Sequence, residues 1–121
     1  MALHNELGQK GEEVACKYLE KSGYIIKDRN WHSGRKEIDI IAYDNDELVI
    51  VEVKTRRNIM FGNPEDFVRN RKIKRIVSSA DAYIRLFSID NRVRFDIISV
   101  IGEKEPFTIN HIKDAFYPPI W

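Results

Sequence analysis

The chain has 121 residues, of which 43% are hydrophobic and 32% are charged, and its formal net charge is +1. These values predict one globular domain, residues 1–121, with a single hydrophobic core, and they exclude a disordered chain and a polycation. The aliphatic run from Leu48 to Val51 is far too short to cross a membrane. Because the N-terminal residues lack the order of a secretion signal and the single cysteine, Cys16, cannot form an internal disulfide, we expect a cytoplasmic protein.

Residues 5–24, NELGQKGEEVACKYLEKSGY, predict a first helix that ends near Gly23. Apolar and small residues recur in it at helical spacing, at Leu7, Gly11, Val14, Ala15, Tyr18 and Leu19. This apolar face is centred near Gly11, Val14 and Tyr18. Glu12 then lies on the flank of the helix, where it can lean over the sheet edge, while Glu13 points into water and Cys16 lies on the polar side.

Three runs in the first half of the chain predict strands: YIIKDRNW (24–31), EIDIIAY (37–43) and LVIVEVKT (48–55). The second and third runs are separated only by DNDE, and acidic and Asn residues between two β-rich runs indicate a hairpin. Trp31 and His32, just before the hairpin, could stack on a base or a sugar, but a loop aromatic is more often used for packing.

A second helix is predicted within residues 63–87, beginning either at Asn63 and Pro64 or near Asn70. Its apolar face comprises Ile73, Ile76, Val77, Ala80, Tyr83, Ile84 and Phe87. Residues 92–101 predict another strand, and residues 106–117 predict a short strand or a one-turn helix. The order α-β-β-β-α-β predicts an α/β fold with a mixed central β-sheet flanked by helices.

The hairpin carries charged side chains where a buried sheet would have apolar ones. Side chains alternate along a strand, so Glu52 and Lys54 share one face, and a turn symmetric about Asn45 and Asp46 places Asp39 directly opposite Glu52. Opposed residues have Cβ atoms about 4.5–5.5 Å apart, where two carboxylates repel each other and at least one pKa is raised. A divalent cation such as Mg²⁺, which takes oxygen ligands, resolves this conflict.

Each of these residues also has a purely structural interpretation. Asp39 and Glu52 could lie on a solvated face, with Lys54 neutralising one of them in a weak surface ion pair. Glu12 could be an ordinary residue of a helix surface. Asp96 is best interpreted as a structural carboxylate that pairs with Arg94 or another basic residue.

Basic residues follow the third strand and continue into the second helix. Such a run is commonly a solvated helix face, but beside a metal site it would bind phosphates. The residues predicted to contact nucleic acid are Arg56, Arg57, Arg71, Lys72 and Arg75. Among them, Lys72 is the one expected to contact a phosphate close to the metal.

The spacing of Asp39, Glu52 and Lys54 resembles the PD-(D/E)XK nuclease signature, although Glu37-Ile38-Asp39 replaces its proline-aspartate pair. A preceding helix with Gly-Glu resembles the archaeal Holliday junction resolvases. Along nearly the whole chain the sequence is similar to the bacterial YraN-like family, through GQKGEEVACKYLEKSGY, EIDIIAYDNDELVIVEVKTR, RKIKRIVSSADAYI, RFDIISV and HIKDAF. This resemblance implies a restriction-endonuclease-like core, in which Glu12, Asp39 and Glu52 bind divalent metal and Lys54 is the catalytic lysine.

The expected function is metal-dependent hydrolysis of DNA phosphodiester bonds, with branched or otherwise irregular DNA among the candidate substrates and Mg²⁺ or Mn²⁺ as the cofactor. The resolvases that the chain resembles act as dimers, so a homodimer is one assembly that the resemblance allows. Two alternatives stay open. One is a nucleic-acid-binding module without robust catalysis, and the other is a protein-interaction domain that uses Trp31, Phe61 and the C-terminal FYPPIW.

Overall fold

The computed structural model describes residues 2–57 and 70–117. The elements are α1 (Ala2–Lys21), β1 (Ile25–Ser33), β2 (Lys36–Asp44), β3 (Glu47–Arg56), α2 (Asn70–Leu86), β4 (Val93–Ile101) and β5 (Thr108–Ile112). The strands form one sheet in the order β1-β2-β3-β4-β5, in which β3 and β4 are parallel and the other neighbouring strands are antiparallel. The predicted mixed sheet with helices is therefore confirmed, and the segment left open near the C-terminus forms a strand.

One helix packs on each face of the sheet. Ala15 and Leu19 of α1 are buried against one face, together with Ile40 of β2 and Val51 of β3. Residues of α2 cover the other face, where the buried side chains are Ile38, Ile41, Leu48, Ile50, Ile76, Ala80, Tyr83 and Phe95. Adjacent strand residues thus face opposite helices, which explains why β2 and β3 are nearly continuous apolar runs in their central parts.

The buried face of α1 is rotated relative to the sequence prediction. Gly11, Ala15, Cys16 and Leu19 are buried, whereas Tyr18 is only partly buried. The prediction that Cys16 lies on the polar side is wrong, since this side chain is 5% exposed. The rotation follows from packing, because the small Ala15 and the long Leu19 fit closely against the sheet. It also turns Glu12, one helical turn before Cys16, toward the sheet.

The apolar face of α2 packs as its spacing predicts at Ile76, Ala80 and Tyr83, which are buried. The prediction is wrong for Phe87, which follows the end of the helix at Leu86 and is 47% exposed. The Tyr83 ring meets Trp31 edge to face at 5.2 Å between ring centroids, and its hydroxyl donates a hydrogen bond of 2.6 Å to Asp28. Trp31 is therefore a packing residue, as the sequence indicates. The alternative helix start at residues 63–64 lies outside the described residues.

The hairpin register is the predicted one. Asp44 pairs with Glu47, and the pairing continues through Tyr43 and Leu48 to Ile40 and Val51.

Residues 58–69 and 118–121, which include Phe61 and the end of FYPPIW, lie outside the described part of the chain. Within the described part, neither helix has the combination of length and apolar composition that crossing a membrane requires.

Candidate functional site

The site lies where the pairing between β2 and β3 ends. The last paired residues are Ile40 and Val51, one position before Asp39 and Glu52. At this point a carboxylate oxygen of Asp39, Oδ2, accepts a hydrogen bond of 2.9 Å from the backbone N–H of Val53. The Asp39 side chain thus accepts a hydrogen bond from β3 where the backbone pairing of the two strands has ended. This bond holds the Asp39 carboxylate against β3.

Two ammonium groups approach the Glu52 carboxylate. Lys72 of α2 forms an ion pair with it, at 2.9 Å between Nζ and Oε1, and Lys54 Nζ lies 3.9 Å from the same oxygen. The Glu52 and Lys54 side chains are only 15% and 18% exposed, so these charges are largely withdrawn from water. The sequence also allowed a weak surface ion pair between Lys54 and one of the two carboxylates. The low exposure of the Glu52 and Lys54 side chains contradicts that interpretation.

The charges of the site shift one another's pKa values. Burial and then the neighbouring Glu52 raise the pKa of Asp39 to about 7, although the Val53 N–H opposes this shift. Burial and then the adjacent Lys72 lower the pKa of Lys54 to about 8. Burial alone would lower the pKa of Lys72, but its contacts with Lys54 and Glu52 outweigh burial and the pKa is raised. A carboxyl and an amine that both titrate near neutral pH are typical of functional sites.

Glu12 belongs to the electrostatic surroundings of this cluster. It is partly buried on α1, and burial raises its pKa against a side-chain hydrogen bond with Asn30. The negative charge of Glu12 in turn contributes to the raised pKa of Asp39. Glu13 is exposed, as predicted. Among the described residues, no three His, Cys, Asp or Glu side chains gather closely enough to form a ready-made metal site, so the role of Glu12 as a ligand stays a prediction.

A glycine holds α1 close to β3 and thereby positions Glu12. A Cβ on Gly11 would clash with Oγ1 of Thr55 and would lie 2.9 Å from its Cγ2, which is closer than real Cβ contacts come. Thr55 follows Lys54 directly in β3, so the helix meets this strand beside the candidate site. Only glycine permits this approach without a shift of the helix or of the threonine.

Gly11→Ala is expected to lower the free energy of unfolding by about 1–3 kcal/mol, because the added methyl group overpacks the contact with Thr55. Gly8→Ala is the matched control, since a Cβ on Gly8 meets nothing within 4 Å. That control should be neutral or stabilising by about 0.5–1 kcal/mol, because Ala favours the helix over Gly. Urea denaturation of both variants measures the difference, and equal stabilities would contradict the assigned close contact.

The basic residues predicted to bind nucleic acid lie at the end of β3, directly after it, and in α2. Arg57, Arg71 and Arg75 are exposed, and Arg56 at the end of β3 is partly buried. Lys72 differs from them because its ammonium is engaged with Glu52. The sequence places these residues near one another along the chain, but the contact between Lys72 and Glu52 was not predicted.

Asp96 has the structural role that the sequence favours. Its carboxylate is fully buried and accepts hydrogen bonds from Arg94 at 2.9 and 3.0 Å, from the backbone N–H of Asp114 at 3.1 Å, and pairs with His111 Nε2 at 2.7 Å. The Tyr18 hydroxyl lies 3.0 Å from the other ring nitrogen of His111. This network ties α1 to β4 and β5, and among the described residues it is separate from the Asp39 cluster.

Two further residues of the site, Asn30 and Ser99, were not predicted from the sequence. Asn30 has a left-handed backbone with φ of 49° and is the hydrogen-bond partner of Glu12. Ser99 of β4 pairs with Lys54 across the parallel strands, is fully buried, and has no hydrogen-bond partner for its hydroxyl in the described part of the chain. A serine inside the aliphatic run DIISV is the one signal that could have drawn attention to Ser99.

Comparison with known proteins identifies one family. The family model described as "Uncharacterised protein family UPF0102" matches residues 11–100, which include the whole charged cluster. The chain is 61% identical over 121 residues to a UPF0102 protein of Phocaeicola vulgatus, with 100% of both chains covered. UPF0102 proteins of Bacteroides thetaiotaomicron and Parabacteroides distasonis are 60% and 51% identical, and the alignments cover 100% and 98% of each chain. None of these names states an activity.

Proposed function

Because the chain belongs to the uncharacterised family UPF0102, we propose a function from the chemistry of its charged cluster: divalent-metal-dependent hydrolysis of DNA phosphodiester bonds on a restriction-endonuclease-like core. The observation that carries this proposal is the convergence of Asp39 and Glu52 from neighbouring strands with Lys54 and Lys72. Such an arrangement costs folding stability, and costly charge clusters are commonly retained for function.

The donor set fits a small, hard cation. Mg²⁺ takes one or two carboxylates and completes its coordination with water and substrate phosphate. The raised pKa of Asp39, caused by burial and by Glu52, indicates that its negative charge is incompletely balanced by the protein. Asp39 and Glu52 are therefore the proposed ligands of Mg²⁺ or Mn²⁺, and Glu12 is proposed to support them directly or through water.

The proposed role of each group follows from its chemistry. A bound divalent ion supplies a polarised phosphate and a water of lowered pKa. Lys54 Nζ, whose pKa is lowered to about 8 by burial and by Lys72, orients the attacking water or offsets charge that develops on the phosphate. Backbone phosphates on either side of the scissile bond would contact the exposed guanidinium groups of Arg57, Arg71 and Arg75.

The test is a comparison of wild type with Glu52→Gln on single-stranded, duplex and four-way-junction DNA, with Mg²⁺ or Mn²⁺. We expect the variant to lose cleavage and to keep salt-sensitive DNA binding, since the basic residues are untouched. Glu13→Gln is the matched control, because Glu13 is an exposed glutamate on α1, and it should cleave as wild type does.

Other outcomes identify the alternatives. Equal cleavage by wild type and Glu52→Gln would contradict the proposed site. Salt-sensitive binding of DNA by both proteins without cleavage by either would favour a nucleic-acid-binding module. Absence of salt-sensitive binding would leave a protein-interaction domain as the better interpretation.

A further inference from the structure

The contact between Lys72 and Glu52 joins two elements that are distant in the chain. Lys72 lies close to Asn70, the first described residue of α2. Its ammonium reaches across the sheet face to Glu52, at 2.9 Å between Nζ and Oε1. The Lys72 side chain is 33% exposed, whereas that of Glu52 is 15% exposed. One partner of the ion pair is thus fixed in the sheet, and the other reaches it from the solvent side.

The positive charge in the site is unevenly distributed between the two carboxylates. Glu52 Oε1 has two ammonium groups near it, from Lys72 and Lys54. For Asp39, the contact that the structure shows is a neutral backbone N–H from Val53. A divalent ion shared by both carboxylates would repel an ammonium at Glu52 Oε1, since like charges at contact distance oppose each other. Lys72, with the more exposed side chain, is the group that can withdraw.

We propose that Lys72 is a displaceable cation, which occupies Glu52 while no metal is bound and turns to a phosphate of the DNA when the metal enters. This inference rests on the proposed metal-dependent function and names a positioning role within it. Lysine suits such an exchange, because its ammonium is a compact charge on a flexible four-carbon stem and has no planar geometry to satisfy. The same ammonium would then serve two anions in turn, first the carboxylate and later the phosphate.

The first experiment measures Mn²⁺ binding by isothermal titration calorimetry without DNA. Lys72→Gln removes the competing cation, so we expect it to bind Mn²⁺ about tenfold more tightly than wild type. Lys36→Gln is the matched control, because Lys36 is an exposed lysine of β2 whose ammonium donates a hydrogen bond of 2.6 Å to Ser78 of α2. This control should stay within about twofold of wild type, since exposed charges are screened.

The second experiment measures DNA affinity by fluorescence anisotropy, with EDTA or with Ca²⁺, which also takes oxygen ligands. With EDTA, Lys72 is held by Glu52, so wild type and Lys72→Gln should bind duplex DNA within about twofold. With Ca²⁺, Lys72 is released, so wild type should bind about fivefold more tightly than the variant. A lysine that only stabilises the fold would give the same ratio in both conditions.

The outcomes separate this inference from the function on which it rests. Equal or weaker Mn²⁺ binding by Lys72→Gln, in a protein whose wild type binds Mn²⁺, overturns the exchange and leaves the metal site standing. The exchange is also overturned if the ratio of wild-type to Lys72→Gln DNA affinity is the same with EDTA and with Ca²⁺. Failure of wild type, Lys72→Gln and Lys36→Gln to bind Mn²⁺ at all overturns both the exchange and the proposed function.

Discussion

Asp96→Asn is expected to lower the free energy of unfolding by about 3–5 kcal/mol, the cost of removing one member of a buried ion pair. The carboxylate is fully buried and meets Arg94, His111 and the backbone N–H of Asp114. An amide has nearly the same shape, but its NH₂ group would face donors and would leave the Arg94 charge without its carboxylate. Guanidinium denaturation measures the loss.

The control for this prediction is an exposed ion pair of the same chemistry. Asp81 and Arg85 pair at 3.0 Å on the surface of α2, where their side chains are 58% and 81% exposed. Asp81→Asn should cost less than about 0.5 kcal/mol, because exposed pairs on a helix contribute little. A loss below about 1 kcal/mol for Asp96→Asn would contradict the importance of the buried network.

The pKa of Asp96 gives the same prediction a pH dependence. Burial alone would raise this pKa, but hydrogen bonds with His111 and Arg94 outweigh burial, and the pKa is lowered. A carboxyl whose folded-state pKa is depressed stabilises the protein above its unfolded-state pKa, and the stabilisation is lost as the pH falls through the folded value. The destabilisation caused by Asp96→Asn should therefore be full at neutral pH and smaller in strong acid.

Asp39→Asn is expected to have the opposite sign and to stabilise the protein by about 2–4 kcal/mol near pH 8. Burial and the neighbouring Glu52 raise the pKa of Asp39 from 3.8 to about 7, so the ionised carboxylate opposes folding. The asparagine Oδ1 can still accept the Val53 N–H bond that Asp39 accepts at 2.9 Å. The substitution thus removes the charge and keeps the hydrogen bond.

The size of this effect changes with pH in a defined way. Between pH 3.8 and about 7 the folded protein holds a proton on Asp39 that the unfolded chain has lost, so wild-type stability falls as the pH rises across this window. Below it, the carboxyl is protonated in both states, and the gain from Asp39→Asn should vanish. Thermal unfolding of both proteins from acid to weakly alkaline pH measures the difference.

Asp90→Asn is the control for this series, because Asp90 is an exposed carboxylate near the start of β4. Its effect on stability should stay within about 0.5 kcal/mol at every pH. A gain from Asp39→Asn that is equally large in acid would contradict the assigned cause, since it could not arise from an ionised carboxylate. Under the proposed function, Mn²⁺ should stabilise wild type at neutral pH and should have little effect on Asp39→Asn.

The two carboxylates differ in how their neighbours act on their charge. Asp96 stabilises the fold because every partner that it meets is a donor or a cation. Asp39 lies beside another acid, and its raised pKa indicates a cost that the protein alone does not remove. Both are aspartates inside apolar strands, and the sequence distinguishes them through the acid opposite Asp39 in the hairpin and the arginine two residues before Asp96. Their neighbours on adjacent strands make the difference.

The hairpin, the mixed sheet and the two helices follow from patterns in the amino-acid sequence. Alternating side chains and a short turn leave a single register that buries the aliphatic residues, and this register places Asp39 next to Glu52. The helical spacing of Ile76, Ala80 and Tyr83 likewise predicts which face of α2 is buried. These features depend on residues close together in the chain, whose geometry follows from backbone periodicity.

The orientation of each helix on the sheet depends instead on packing between distant parts of the chain. Packing of Ala15 and Leu19 rotates α1 so that Cys16 is buried and Glu12 approaches the cluster, contrary to the predicted position of Cys16. Docking of α2 brings Lys72 within 2.9 Å of Glu52. The rotation and docking of a helix are set by the summed packing of many distant side chains, and periodicity along the sequence carries no information about that sum.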